Sequence, residues 1–177
     1  MTKIKDYKEL LSRVDKAVAQ KGLDLSAGED LSIGVMNLIS IEEHLFFTYN
    51  KTKQSKYLDL LNEVRLMRTT LMKQIIKNYA GEEWCIGKHL LAASMRVMEV
   101  GTKELKKGND KEAKDLFQKS FKLYSLFWGL VLSGGNDPKS DKDDVTLIDE
   151  SGQAKGTISV FSKLGDLINK ALDCCRE

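Results

Sequence analysis

The sequence predicts an all-α protein, a single-domain bundle of about six helices spanning residues 1–177. Three observations carry this. Apolar residues recur at spacings of three and four along most of the chain, the period of a helix with one buried face. A single proline in 177 residues leaves long helices uninterrupted. A hydrophobic fraction of 42% beside a charged fraction of 31% suits one substantial core inside a charged surface.

The organising stretch is LSIGVMNLISIEEHLFFTY, residues 31–49. At about 100° per residue, Leu31, Val35, Leu38, Leu45, Phe46 and Tyr49 share one face, while Ile33, Met36 and Phe47 cover much of the other. A helix apolar nearly all round is expected at the centre of a bundle.

Ahead of it, a first helix is expected over residues 2–20, with Ile4, Tyr7, Leu11, Val14 and Val18 in one narrow stripe and Gly22 as its stop. That stripe places it on the outside of the bundle. Ser26-Ala-Gly-Glu29 is a capping-box pattern that starts the central helix.

A third helix is expected over residues 55–79, with Tyr57, Leu61, Val64, Leu71, Met72, Ile75 and Tyr79 on one face. Arg68 interrupts that face, as Glu42 interrupts the face of the central helix. A lone buried charge costs several kcal/mol, so the two are expected to pair across the interface and fix its register.

The fourth helix, residues 83–107, has a wide apolar arc with small residues Gly87, Ala93, Ser94 and Gly101 that admit a close neighbour. A turn at residues 108–110 leads into a fifth helix to about residue 132, making an antiparallel hairpin. Its turn, GNDKEAKDLFQKS, resembles the turn and second helix of a tetratricopeptide-type repeat. The resemblance covers about thirteen residues, and no second copy recurs at a spacing near 34, so it implies a tetratricopeptide-like hairpin rather than an array.

Residues 133–156 hold the only proline and four glycines and read as a flexible loop or tether. A last helix is expected over residues 157–175, with Phe161, Leu164, Ile168, Ala171 and Cys175 closing the bundle.

Function classes narrow by elimination. A formal charge of +2 lacks the basic field on which nonspecific nucleic-acid binding depends, and no apolar run reaches a membrane span. Three cysteines, two of them adjacent, form no disulfide framework, and no secretory h-region is present. A cytoplasmic setting is expected.

The residues that invite chemistry are Glu42, His44, Arg68, Cys85 and His89. Cys85 and His89 stand at i, i+4, the spacing that sets two metal ligands on one helical face, and Glu42, Glu43 and His44 are further ligand types. A di-iron bundle needs Glu-x-x-His on two helices, yet Leu45, Phe46 and Leu66 follow Glu42, Glu43 and Glu63 by three. Cys85 and His89 are therefore expected to be a core cysteine and a satisfied core histidine, with no cofactor; zinc or iron is the alternative.

The helical RNA-cleaving signature, arginine five to seven residues before histidine, is absent before both histidines. Asp137, Asp141, Asp143, Asp144, Asp149 and Glu150 lack calcium-loop spacing and alternate with lysines. No phosphate loop, nucleotide fingerprint or hydrolase triad is present.

The expected function is thus a non-enzymatic protein-interaction or adaptor module, with a protein partner or a homodimer formed through the first or last helix. The alternative is a bundle holding a metal ion or small polar ligand between its second, third and fourth helices.

Overall fold

The computed structural model describes residues 11–16, 26–77, 82–134 and 164–169. The chain is an all-α bundle. Four long helices form two hairpins: α1, Ser26–Thr52; α2, Lys56–Ile75; α3, Glu82–Lys106; and α4, Asp110–Gly134. Residues 11–16 and 164–169 add two further helical segments, and no strand occurs among the described residues. No helix among them is long and apolar enough to cross a membrane.

Each hairpin is closed by local chemistry. At the end of α3, Asn109 N–H donates to Glu104 O (3.0 Å) and Gly108 N–H to Leu105 O (3.0 Å), with Gly108 at φ +82°. That is a Schellman stop, and it needs a residue without Cβ in the left-handed region. The shorter turn between α1 and α2 places Lys53 at φ +57°, its N–H donating to Tyr49 O (2.7 Å). The helix α2 ends at Ile75, earlier than the spacing predicts, because Ile76 turns to extended backbone; Tyr79 lies outside the described residues.

The α3–α4 contact is built on a row of small residues seven apart, Gly87, Ser94 and Gly101, all buried. Opposite them stand Phe127, Ser120 and Phe117, in descending order as antiparallel packing requires. Ser94 Oγ donates to Ser120 O (2.9 Å) and Ser120 Oγ donates back to Ser94 O (2.8 Å), so neither buried hydroxyl is orphaned. A Cβ on Gly101 would stand 2.9 Å from the Phe117 ring, which sets how closely the two helices approach. Ala93, read as part of the small-residue set, is exposed instead.

The core gathers at one end of the two hairpins. Val35 and Met36 from α1, Met72, Ile75 and Ile76 from the end of α2, Leu91 from α3, and Phe127, Trp128 and Leu132 from α4 form one cluster. Val14, Leu164 and Ile168 join it fully buried, so the short segments turn their stripes inward. Val14 is fully buried while Ser12, Asp15 and Lys16 beside it are exposed, the single buried face that the narrow stripe of the first helix predicts. The helix α4 runs to Gly134, so residues 133–134 of the tether expected over 133–156 are helical; residues 135–156, the rest of the first helix and the remainder of the last helix lie outside the described residues.

The expectation of a central α1 is also corrected. Ile33, Ile41, Phe46 and Phe47 are roughly half exposed. The helix is flanked by α2 on one side and by α3 and the core on another, which leaves its remaining arc open while Leu45, Thr48 and Tyr49 stay half-buried.

Glu83, in the first turn of α3, is buried, and its Oε1 finds no hydrogen-bond partner among the described residues. Burial raises its pKa above the ordinary 4.5. The folded chain therefore favours the protonated acid: below 4.5 nothing is lost, and stability falls as pH rises through the folded value. Glu83→Gln is expected to raise Tm near neutrality and to leave it unchanged in acid below 4.5. Equal shifts at both pH values in thermal melts would refute this reading.

Candidate functional site

The two charges that interrupt apolar stripes meet. Arg68 Nε on α2 donates to Glu42 Oε1 on α1, with side-chain exposures of 7% and 12%. Arg65, one turn before Arg68, donates its own Nε to Glu42 Oε2 (3.0 Å). Both carboxylate oxygens of Glu42 are therefore engaged by guanidinium groups from the neighbouring helix. Arg65 was not legible as a partner, since its place in the stripe reads as solvent-facing; its side chain is half exposed.

These three side chains line an open cleft of about 530 Å³ between α1, α2 and α3, completed by Ile39, Lys88, His89 and Ala92. His89 lies one turn after Cys85 on α3 and beside Lys88. Of the five residues singled out in the sequence, the cleft brings together Glu42, Arg68 and His89. It leaves out His44 and Cys85.

The expectation of a core histidine and a buried cysteine is overturned. Cys85 is an exposed free thiol, and His44 and His89 are exposed as well. The physical reason is the path of α3: its buried row runs through Gly87, Leu91 and Ser94, and Cys85 and His89 fall off that row toward solvent. Among the described residues no three His, Cys, Asp or Glu side chains come together as metal ligands.

A second polar bridge joins α1 to α3. Arg96 donates Nε to Glu43 Oε2 (2.9 Å), and its Nη2 reaches the same oxygen. The Arg96 pKa is raised chiefly by this hydrogen bond. The bridge is exposed, and pairs of that kind contribute little stability.

Inside the bundle, Ser32 donates to Glu29 O (2.7 Å), and its hydroxyl also meets Tyr124 Oη at 2.7 Å. Burial raises the Tyr124 pKa against the opposing effect of that hydrogen bond. Sharing one hydroxyl between α1 and α4 locates Tyr124 beside Phe127 and Trp128 and ties the two hairpins together.

Beyond the Arg96–Glu43 bridge the surface becomes apolar. Phe46 and Phe47 follow Val35 and Met36 by eleven residues, so each lies within about 20° of its buried counterpart. Leu60 precedes Leu71 by the same interval, and Met67 stands one turn before Leu71, which packs on the core. Yet Phe46, Phe47, Leu60 and Met67 are about half exposed, Phe47 at 59%. On α3, Val100, one turn past Arg96, is exposed too. Comparison of the chain with models of protein families, with characterised proteins and with solved structures finds no match.

Proposed function

We propose that this protein is an interaction module that receives an amphipathic helix of a partner protein on the open half of its first hairpin. The observation that supports this is the continuation of the buried rows into exposed aromatic and aliphatic residues. Phe46, Phe47, Leu60 and Met67 keep the helical phase of residues in or packed on the core, yet each is about half exposed. Large exposed apolar groups that continue a buried row are the mark of a docking surface.

The surrounding charge indicates the partner's chemistry. Lys51, Lys53 and Lys56 at the α1–α2 turn, with Lys103 and Lys106 near the end of α3, form no ion pair among the described residues. Lys53 and Lys56 lie over the rings of Tyr49 and Tyr57 at 5.9 and 5.1 Å. An apolar stripe flanked by carboxylates fits such a rim. The short terminal segments are less suited to forming a homodimer, since Val14, Leu164 and Ile168 are consumed in the chain's own core.

A photo-crosslinking residue placed at Phe47 in the full chain, in its native cell, tests this. One discrete adduct is expected, lost when Met67→Glu is added to the same chain. Because Met67 is exposed, that substitution should change stability by only about 0.5 kcal/mol. No adduct, or an adduct that persists unchanged with Met67→Glu, would overturn the proposal. An adduct of twice the chain mass would replace the partner helix with a second copy.

A further inference from the structure

We infer that the cleft between α1, α2 and α3 is a binding site for the phosphate group of a small phosphate monoester. Its lining holds three permanent cations, Arg65, Arg68 and Lys88, against one carboxylate, Glu42. The net formal charge is +2, which matches the dianion of a phosphate monoester near neutral pH.

The donors are disposed to receive it. Glu42 is already engaged at both oxygens, by Arg68 at Oε1 and Arg65 at Oε2, so it offers little further attraction to a cation. What the two arginines retain is their terminal Nη groups. Neither arginine makes a second hydrogen bond among the described residues, although the Arg68 side chain is only 7% exposed. The Arg68 Nη atoms are not among the buried polar atoms left without a partner, so they open on the solvent of the cleft. Glu42 fixes both guanidinium groups through Nε, and that leaves their paired Nη donors for the bidentate geometry that phosphate oxygens accept.

Lys88 and His89 supply donors from the opposite wall. Neither forms an ion pair or hydrogen bond with a described residue. Ile39 and Ala92 give the cleft an apolar surface, against which the carbon skeleton of an ester would lie. At about 530 Å³ the space accommodates a small metabolite rather than an ion alone. The site is separate from the apolar docking face, so either reading stands without the other.

The chain has two histidines, and they make the test internal. His89 lines the cleft, whereas His44 is exposed on α1, about 200° round the helix from Glu42. Phenyl phosphate, inorganic phosphate and succinate would be titrated into the full-length protein at low ionic strength, where charge interactions are least screened. The readouts are imidazole NMR signals and calorimetry.

Phenyl phosphate is expected to move the His89 signals saturably and leave those of His44 in place. Arg65→Gln and Lys88→Gln, on side chains outside the buried core, are each expected to weaken binding about tenfold. Lys114→Gln, an exposed change on α4, should not alter it. Inorganic phosphate binding as tightly as the ester would support the same anion chemistry and assign free phosphate as its source. The inference is overturned if both histidines shift together without saturation, if Lys114→Gln weakens binding as much as Lys88→Gln, or if succinate binds more tightly than either phosphate.

Discussion

Arg68→Ala is expected to destabilise the fold by about 3 kcal/mol, the lower end of what breaking a buried ion pair costs. The Arg68 side chain is 7% exposed and that of Glu42 12%, so removing the guanidinium leaves a carboxylate largely shielded from water. The loss is held to that end because Arg65 remains at Oε2, 3.0 Å away. Replacing both members, Glu42→Leu with Arg68→Leu, is expected to return stability to within about 1 kcal/mol of the parent, since an apolar pair of similar volume carries no desolvation cost. Urea denaturation of Arg68→Ala, and of Glu42→Leu, Arg68→Leu and their double variant as a closed cycle, measures both effects. A cost below about 1 kcal/mol for Arg68→Ala would mean that water reaches Glu42 freely and that the pair behaves as a surface bridge.

The larger effect is expected at Trp128. Trp128→Ala should cost about 3–5 kcal/mol, a large share of the 5–15 kcal/mol that a domain of this kind possesses. The indole is 2% exposed, stacks edge-on to Phe127 at 5.4 Å and lies edge-on to Tyr124 at 6.5 Å. It also reaches across to α1: a Cβ on Gly28 would stand 3.1 Å from Trp128 Cη2, tighter than an ordinary contact, so the ring lies directly against Gly28. Its removal opens a cavity between the two hairpins, where rigid helices cannot collapse to fill it. Thermal melts with near-ultraviolet dichroism should show a lower Tm and reduced cooperativity. A change within about 1 kcal/mol would show that the hairpins are held mainly elsewhere.

These two substitutions probe different joints. Trp128 acts at the packed end, where α4 meets the start of α1. The Glu42–Arg68 pair acts halfway along α1, between the core and the open apolar half. The polar cluster therefore lies between the core and the half-exposed Phe46, Phe47 and Leu60, although Leu61 on α2 stays buried beyond it.

Much of this could be read from the chain. The four long helices follow from apolar spacing and from the scarcity of proline. The turn at Gly108 follows from the need for left-handed backbone at a helix stop. The meeting of Glu42 with Arg68 follows from charge: each interrupts an apolar face on neighbouring helices, and a buried charge needs its opposite. Arg65 and Lys88 were not legible, because an arginine or lysine on a helix ordinarily marks a solvated face; only the position of the neighbouring helix turns them toward a shared cleft.

The phase of each helix is already written in the order of residues, since the period of about 3.6 residues per turn is set locally by backbone hydrogen bonds. Val35 and Phe46 therefore share a row whatever surrounds them. How far along its axis each helix is covered depends on contacts between helices that the local period does not specify. The Gly87–Ser94–Gly101 row fixes the approach of α3 and α4, while Trp128 against Gly28 fixes where that hairpin meets α1. Those contacts bury Val35 and leave Phe46 half exposed, and they carry Cys85 and His89 off the packed row of α3 to the surface.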